Sequence, residues 1–231
     1  MNANPNTSMI AALVSEESRS RMLTAMLDGR FHTAGELAMA AGIKPQTASF
    51  HLAKMAEAHT VIVEKQGRHR YYGLRNQEVA EIMELLLTAA PPAKIQSFKQ
   101  VTEDKAMRYA RTCYDHLAGN LGVAVTEFLL NGGYVKEKGK EFSVTEKGEA
   151  FFEAFEIDLV SAKKKRRSFC TRCLDWSERR HHLAGALGNA LLERFFELHW
   201  LERMPNTRSV KVTPLGKKGL REVFSIENSA T

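Results

Sequence analysis

The stretch Glu36–Leu74, ELAMAAGIKPQTASFHLAKMAEAHTVIVEKQGRHRYYGL, decides the fold. Its first half holds two helical patterns separated by Gly42; its second half holds two β-rich runs around a Gly turn. Thr33, just upstream, followed three residues later by Glu36, is a capping-box pattern and predicts a short helix carrying Leu37 and Met39. Lys44-Pro45 opens a second helix with proline in its first turn, where the missing N–H costs nothing. That helix is expected to run to about Ala58 and to bury Ala48, Leu52 and Met55. Val61–Lys65 and His69–Leu74, on either side of Gln66-Gly67-Arg68, read as a β-hairpin.

Working outward, Val14, Met22, Leu23, Met26 and Leu27 fall at helical spacing, in a helix starting near Ser15 and stopped by Asp28-Gly29. Downstream, Val79, Ile82, Met83, Leu85 and Leu86 mark a last helix over 76–90. Pro91-Pro92 then reads as a stiff linker over 91–94, and residues 1–14 as a flexible tail. The order helix, helix, turn, helix, hairpin, helix over 15–90 is that of a winged helix-turn-helix. The expected class is mainly α with small β-hairpins (α+β).

The residues of this segment resemble the ArsR-type bacterial transcription repressors. The resemblance rests on Ser49, His51 and Leu52 in the second helix and on Gly67, Arg68, Tyr72 and Leu74 in the hairpin. It covers about a third of the chain. It implies a homodimeric, cytoplasmic repressor that binds double-stranded operator DNA and is released by an effector. The helix from Lys44 would then be the recognition helix. Its outward residues are Lys44, Gln46, Thr47, Ser49, Phe50 and Lys54. A helix fits the major groove, Gln suits bidentate contact with adenine, and Thr47 and Phe50 suit thymine methyls. Lys65, Arg68 and Arg70 on the wing would meet phosphates or the minor groove.

Charge agrees with this. The 231 residues carry net +6, which favours an anionic partner. Residues 1–92 balance nine basic against nine acidic groups, yet the window 44–75 sets six cations against Glu57 and Glu64. The basic groups are therefore concentrated on the recognition helix and wing. No apolar run reaches the roughly 20 residues of a membrane span, and no secretory leader pattern is seen, so the expected place is the cytoplasm with no membrane partner.

The remainder, 95–231, repeats itself and is expected to form an effector or dimerisation domain. HLAGNLGVAVTEFLL (116–130) and HLAGALGNALLERFF (182–196) share eight of fifteen positions. Val144-Thr145 with Gly148 matches Val212-Thr213 with Gly216, and Cys113-Tyr114-Asp115 resembles Cys173-Leu174-Asp175. The copies, about 106–156 and 168–224, each read as a helix with a small-residue stripe, a β-rich run and a short helix, hence as winged-helix-like units. Glycine inside a helix costs roughly 1 kcal/mol against alanine, so matched glycines at 122 and 188 predict close packing.

Two further readings stay open. The ArsR resemblance brings metal-sensing sites near the second and recognition helices or on the last helix of the domain; here no cysteine precedes Cys113 and the last helix holds no His. A different site for a divalent metal ion, whether zinc, cadmium or lead, is available in Cys170-x-x-Cys173 with His181-His182, joined by Cys113 and His116. The third reading is a non-specific architectural DNA-binding protein, in which the run Lys163–Arg167 adds phosphate contacts rather than forming a solvated face. Asp115 and Asp175 could form a paired-carboxylate site, but as repeat equivalents they read rather as helix caps. No G-x-S-x-G, phosphate loop or H-E-x-x-H is present, so no enzyme is expected.

Overall fold

The computed structural model describes residues 6–91 and 97–227, which divide into two compact units, 1–85 and 86–231. The part of the expected linker at 92–94 lies outside the described residues, as do the ends of the tail and of the second domain at 1–5, 95–96 and 228–231.

The N-terminal unit opens with α1 (Thr7–Ser15), so most of the expected tail is helical. The Asn6 side chain accepts from the Met9 N–H and Leu13 is buried, which gives this segment both a cap and an anchor. The helix expected from Ser15 begins at α2 (Glu17–Ala25), because the Glu16 carboxylate caps it by accepting from the Ser18 and Arg19 N–H groups. A 3₁₀ turn (Met26–Asp28) and Gly29 in the left-handed region end it. β1 (His32–Thr33) leads into α3 (Ala34–Ala41), where Thr33 and Glu36 form a complete capping box. Leu37 of α3 is buried, but Met39 points to solvent. Next come α4 (Pro45–Glu57), β2 (Val61–Gln66), β3 (His69–Leu74) and α5 (Gln77–Ala89).

β2 and β3 pair antiparallel from Val61↔Leu74 to Gln66↔His69, and β1 adds a third strand against β3. Two-residue β1 is too short to carry a period in the sequence. Met22, Leu23, Leu37, Leu52 and Met55 are fully buried between α2, α3 and α4. The unit is a winged helix-turn-helix.

In the C-terminal unit the element order runs twice. α6 (Phe98–Tyr109) precedes β4 (Arg111–Cys113), β5 (His116–Ala118), α7 (Gly119–Asn131), β6 (Val135–Lys138), β7 (Glu141–Val144) and α8 (Glu146–Ala154). Then α9 (Leu159–Lys164) precedes β8 (Thr171–Leu174), β9 (His181–Ala184), α10 (Gly185–Glu197), β10 (Leu201–Arg203), β11 (Val210–Val212) and α11 (Pro214–Phe224). In each run a β-hairpin precedes the glycine-bearing helix, which starts only at Gly119 or Gly185. The expected helical start at His116 and His182 is corrected to strand: both histidines pair across to cysteines.

The segments interlock. β7 of the first pairs β8 of the second at Glu141↔Thr171, and β4 of the first bridges the second at Arg111↔Ser209. One apolar core holds Leu121, Leu129 and Phe152 together with Leu187, Phe195 and Phe224. The repeated V-T-x-x-G is a helix cap: Thr145 accepts from the Gly148 N–H at 3.0 Å and Thr213 from that of Gly216 at 2.9 Å. Among the described residues no helix is long and apolar enough to cross a membrane.

Candidate nucleic-acid interface and the Cys/His cluster

Burial of Ala48, Leu52 and Met55 fixes the rotation of α4, and 3.6 residues per turn put the intervening side chains outward. Lys44, Gln46, Thr47, Ser49, Phe50 and Lys54 are all exposed. Phe50 is 58% exposed and carries the Lys54 ammonium 4.4 Å above its ring, so the apolar ring and the cation form one surface. Ser49 Oγ donates to the Pro45 carbonyl at 3.0 Å, which leaves its oxygen free only to accept. His51 is turned inward, its Nδ1 3.2 Å from Arg19 Nη1 and its Nε2 3.8 Å from Glu16, and it ties α4 to α2.

Lys65 and Arg70 face each other across β2–β3, and Arg68 sits at the turn beside Gly67, whose φ is +60°. All three cations are exposed. A cleft of about 490 Å³ runs between α4 and the wing, lined by Ser49, Ala53, Arg68 and Arg70 among others. The exposure of these residues is legible in the sequence because helix rotation and hairpin register follow from local pattern.

The structure divides the six metal-ligand candidates. Cys113, His116, Cys173 and His182 come together, with one ligand atom from each all within 4.8 Å of one another. Cys170 and His181 do not join them. Cys170 belongs to the apolar core, and burial, followed by the Glu141 charge, pushes its thiol up to about 12. His181 lies on the other face, its Nδ1 3.3 Å from Arg172 Nη2; burial and then the Arg172 charge lower its pKa. The reason is the pleat. Neighbours in a strand face opposite ways, so His181-His182 cannot point both members at one centre, and Cys170, just ahead of β8, turns into the apolar core instead.

The carboxylates beside the cluster are not a catalytic pair. Asp175 is fully buried, pairs with Arg111 at 2.8 Å, and accepts from the Gly119 N–H at 2.7 Å, capping α7 of the other segment. Burial acts to raise its carboxyl, but His182 and Arg111 outweigh that and hold it far below the usual range. Asp115 accepts from both Arg167 nitrogens; burial again opposes, but His116 and Arg167 hold it at about 2. For His116 burial disfavours the imidazolium, yet Cys113 and Asp115 outweigh it and push it up to about 10. In the basic run, Lys163, Lys165 and Arg167 are engaged with Glu149, Asn189 and Asp115, which ties that segment to its own unit.

A helix-turn-helix with an exposed polar second helix and a basic wing is the architecture of a DNA-binding regulator. A relative 51% identical over 224 residues, covering 97% of this chain and 99% of its own length, supplies the family: the chain belongs to the HTH-type transcriptional regulators, which are not enzymes. That relative is YdfF of Bacillus subtilis (strain 168), described as an uncharacterized HTH-type transcriptional regulator. No family model matches the chain. Among solved structures, reduced HlyU from Vibrio cholerae is similar at 24% identity and TM-score 0.34, over 37% of this chain and 90% of its own. The cadmium sensor CMTR from Mycobacterium tuberculosis is similar at 24% and 0.32, over 39% and 94%. The homodimeric winged helix-turn-helix domain of Mb0332 from Mycobacterium bovis is similar at 18% and 0.33, over 46% and 92%.

Proposed function

We propose that this chain is a cytoplasmic, homodimeric repressor that reads a double-stranded operator through α4 and its wing. An effector bound in or near the C-terminal unit releases it. The observation that carries the reading is the exposed face of α4 beside three wing cations. Gln46, Thr47 and Phe50 read base edges, with Ser49 as an acceptor only. Lys44, Lys54, Lys65, Arg68 and Arg70 neutralise phosphates or enter the minor groove. One recognition helix covers about half a site, and a second copy supplies the other half. Ile82, Leu85 and Leu86, exposed on one face of α5, support a dimer made through that helix together with the first helices.

We also read 106–156 and 168–224 as two copies of a winged-helix-like unit. The eight shared positions and the repeated helix–hairpin–helix order support this. The N-terminal part, about 15–90, then acts as the DNA-binding domain, and 95–231 as the effector and dimerisation domain.

Fluorescence anisotropy tests the reading, with the DNA upstream of the protein's own gene against a scrambled duplex at about 150 mM salt. A preference on the order of 10³ is expected. Arg68→Ala should weaken binding to every sequence and reduce the salt slope by about one, whereas Gln46→Ala should change the preference among sequences. Equal binding to both duplexes would point to an architectural DNA-binding role instead.

A further inference from the structure

Two short hairpins each set a cysteine directly opposite a histidine. On β4–β5, Cys113 pairs with His116; on β8–β9, Cys173 pairs with His182. Directly opposed residues share one face of an antiparallel pair, so each hairpin presents one sulfur and one imidazole together. The two faces meet. Cys113 Sγ lies 3.8 Å from Cys173 Sγ, and His116 Nε2 lies 3.1 Å from His182 Nε2.

These separations can be set against a coordination sphere. Tetrahedral zinc has bonds of about 2.3 Å to sulfur and about 2.0–2.1 Å to nitrogen, which spaces its two sulfurs by ~3.8 Å and its two nitrogens by ~3.3–3.4 Å. The observed sulfur edge equals the first, and the nitrogen edge lies a few tenths of an ångström inside the second.

The surrounding groups fit the same centre. His116 Nδ1 faces Asp115 Oδ1 at 3.5 Å, and His182 Nδ1 faces Asp175 Oδ2 at 3.2 Å. The negative charge of a carboxylate this near favours the proton on Nδ1, which leaves the Nε2 lone pair for a metal. With both rings so set, the two Nε2 atoms, 3.1 Å apart in a buried site, share one proton or turn both lone pairs to one cation that takes its place. Each aspartate is balanced by its own guanidinium, Arg167 on Asp115 and Arg111 on Asp175. Two thiolates then remain to balance a divalent ion, so the loaded site carries no net buried charge.

The matched glycines let each helix turn tightly off its own preceding strand. A Cβ on Gly122 would stand 2.6 Å from the Leu117 carbonyl oxygen and 3.7 Å from His182 Cβ; one on Gly188 would stand 2.5 Å from the Leu183 oxygen and 3.2 Å from His116 Cβ. Each glycine thus lies under the histidine of the other segment.

We propose that Cys113, His116, Cys173 and His182 form a tetrahedral site for one divalent ion of the zinc class, binding the two segments of the C-terminal unit together. A two-sulfur, two-nitrogen donor set selects zinc and its thiophilic neighbours over magnesium or calcium. Four protein ligands leave no open position for a substrate, so the ion is structural or sensory, not catalytic. Cys173 is the one partly exposed ligand of the four. The site stands whether or not α4 reads an operator.

The test uses the full-length chain, reduced and stripped with a chelator, then titrated with Co²⁺ and afterwards with Zn²⁺. The expected result is one Co²⁺ per chain, with the visible absorption of four-coordinate cobalt and a thiolate charge-transfer band, both removed by Zn²⁺. Cys173→Ser and His182→Ala should each weaken Co²⁺ by more than the 10–100-fold that loss of an outer partner typically costs. Cys170→Ser and His181→Ala should leave the spectrum and affinity unchanged. Far-UV circular dichroism verifies that the variants are folded, and where a ligand variant fails to fold, the wild-type and Cys170→Ser titrations decide. Cobalt without the charge-transfer band in the wild type, a folded Cys173→Ser chain that binds undiminished, or loss of the site in Cys170→Ser overturns the proposal. No readout involves DNA, so failure of operator binding is a separate result.

Discussion

Asp28 is a buried carboxylate that fixes the turn between α2 and β1. It accepts from the Arg30 N–H at 2.9 Å and Arg30 Nε at 2.7 Å, and faces His32 Nε2 at 2.8 Å. Burial acts to raise its pKa, but His32 and Arg30 outweigh it and hold the carboxyl below its usual 3.8. A depressed folded-state pKa contributes stability that is present above the unfolded value and lost as pH falls through the folded one. Asp28→Asn should therefore cost about 1–3 kcal/mol near pH 7, and the deficit should shrink below about pH 4. Urea unfolding of both chains at pH 7 and pH 3 checks this; a deficit that stays constant would rule out the charged contacts as its source. At the same scale, Asp115 and Asp175 each pair with an arginine, Arg167 and Arg111, but Asp175 also accepts from the first N–H of α7.

The effect of a glycine depends on what its helix packs against. Gly188 of α10 lies against the Leu183 carbonyl and His116, so Gly188→Ala should destabilise by roughly 1–3 kcal/mol through overpacking. Gly35 of α3 meets nothing nearer than Thr33 Oγ1 at 3.8 Å, so Gly35→Ala should be neutral or raise stability by up to about 1 kcal/mol. Thermal melts of the two variants should move in opposite directions, and parallel losses would refute the packing argument. The matched glycines were visible as a pattern in the sequence; the backbone and histidine each one accommodates were not. The opening hairpins of the repeats also escaped the sequence. Three-residue strands such as His116–Ala118 are too short to separate a period of 2 from one of 3.6, and they run straight into an apolar helix.

For the whole molecule, the question is what a second copy would cover. Leu85 is 63% exposed, Leu86 43% and Ile82 47%, at i, i+3 and i+4 on α5. Leu85→Asp should shift the protein toward monomer in sedimentation velocity and weaken operator binding together. Loss of DNA affinity with the dimer intact would place the dimer interface elsewhere. The N-terminal unit was legible because its signals are local: a capping box at Thr33–Glu36, Pro45 at a helix start, Gly67 at a turn, and one buried stripe per helix. The same locality puts the outward residues of α4 and the wing on the surface. By itself, the sequence determined a winged helix-turn-helix and showed basic residues gathered in 44–75 and two matching stretches at 116–130 and 182–196. It also held the four cysteine and histidine residues of the cluster, mixed with two that point elsewhere. Only the tertiary structure chose among the six. Cys113 and Cys173 are 60 positions apart, and whether they meet depends on strand register, which sends adjacent residues to opposite faces, and on the reciprocal packing of two segments around one core.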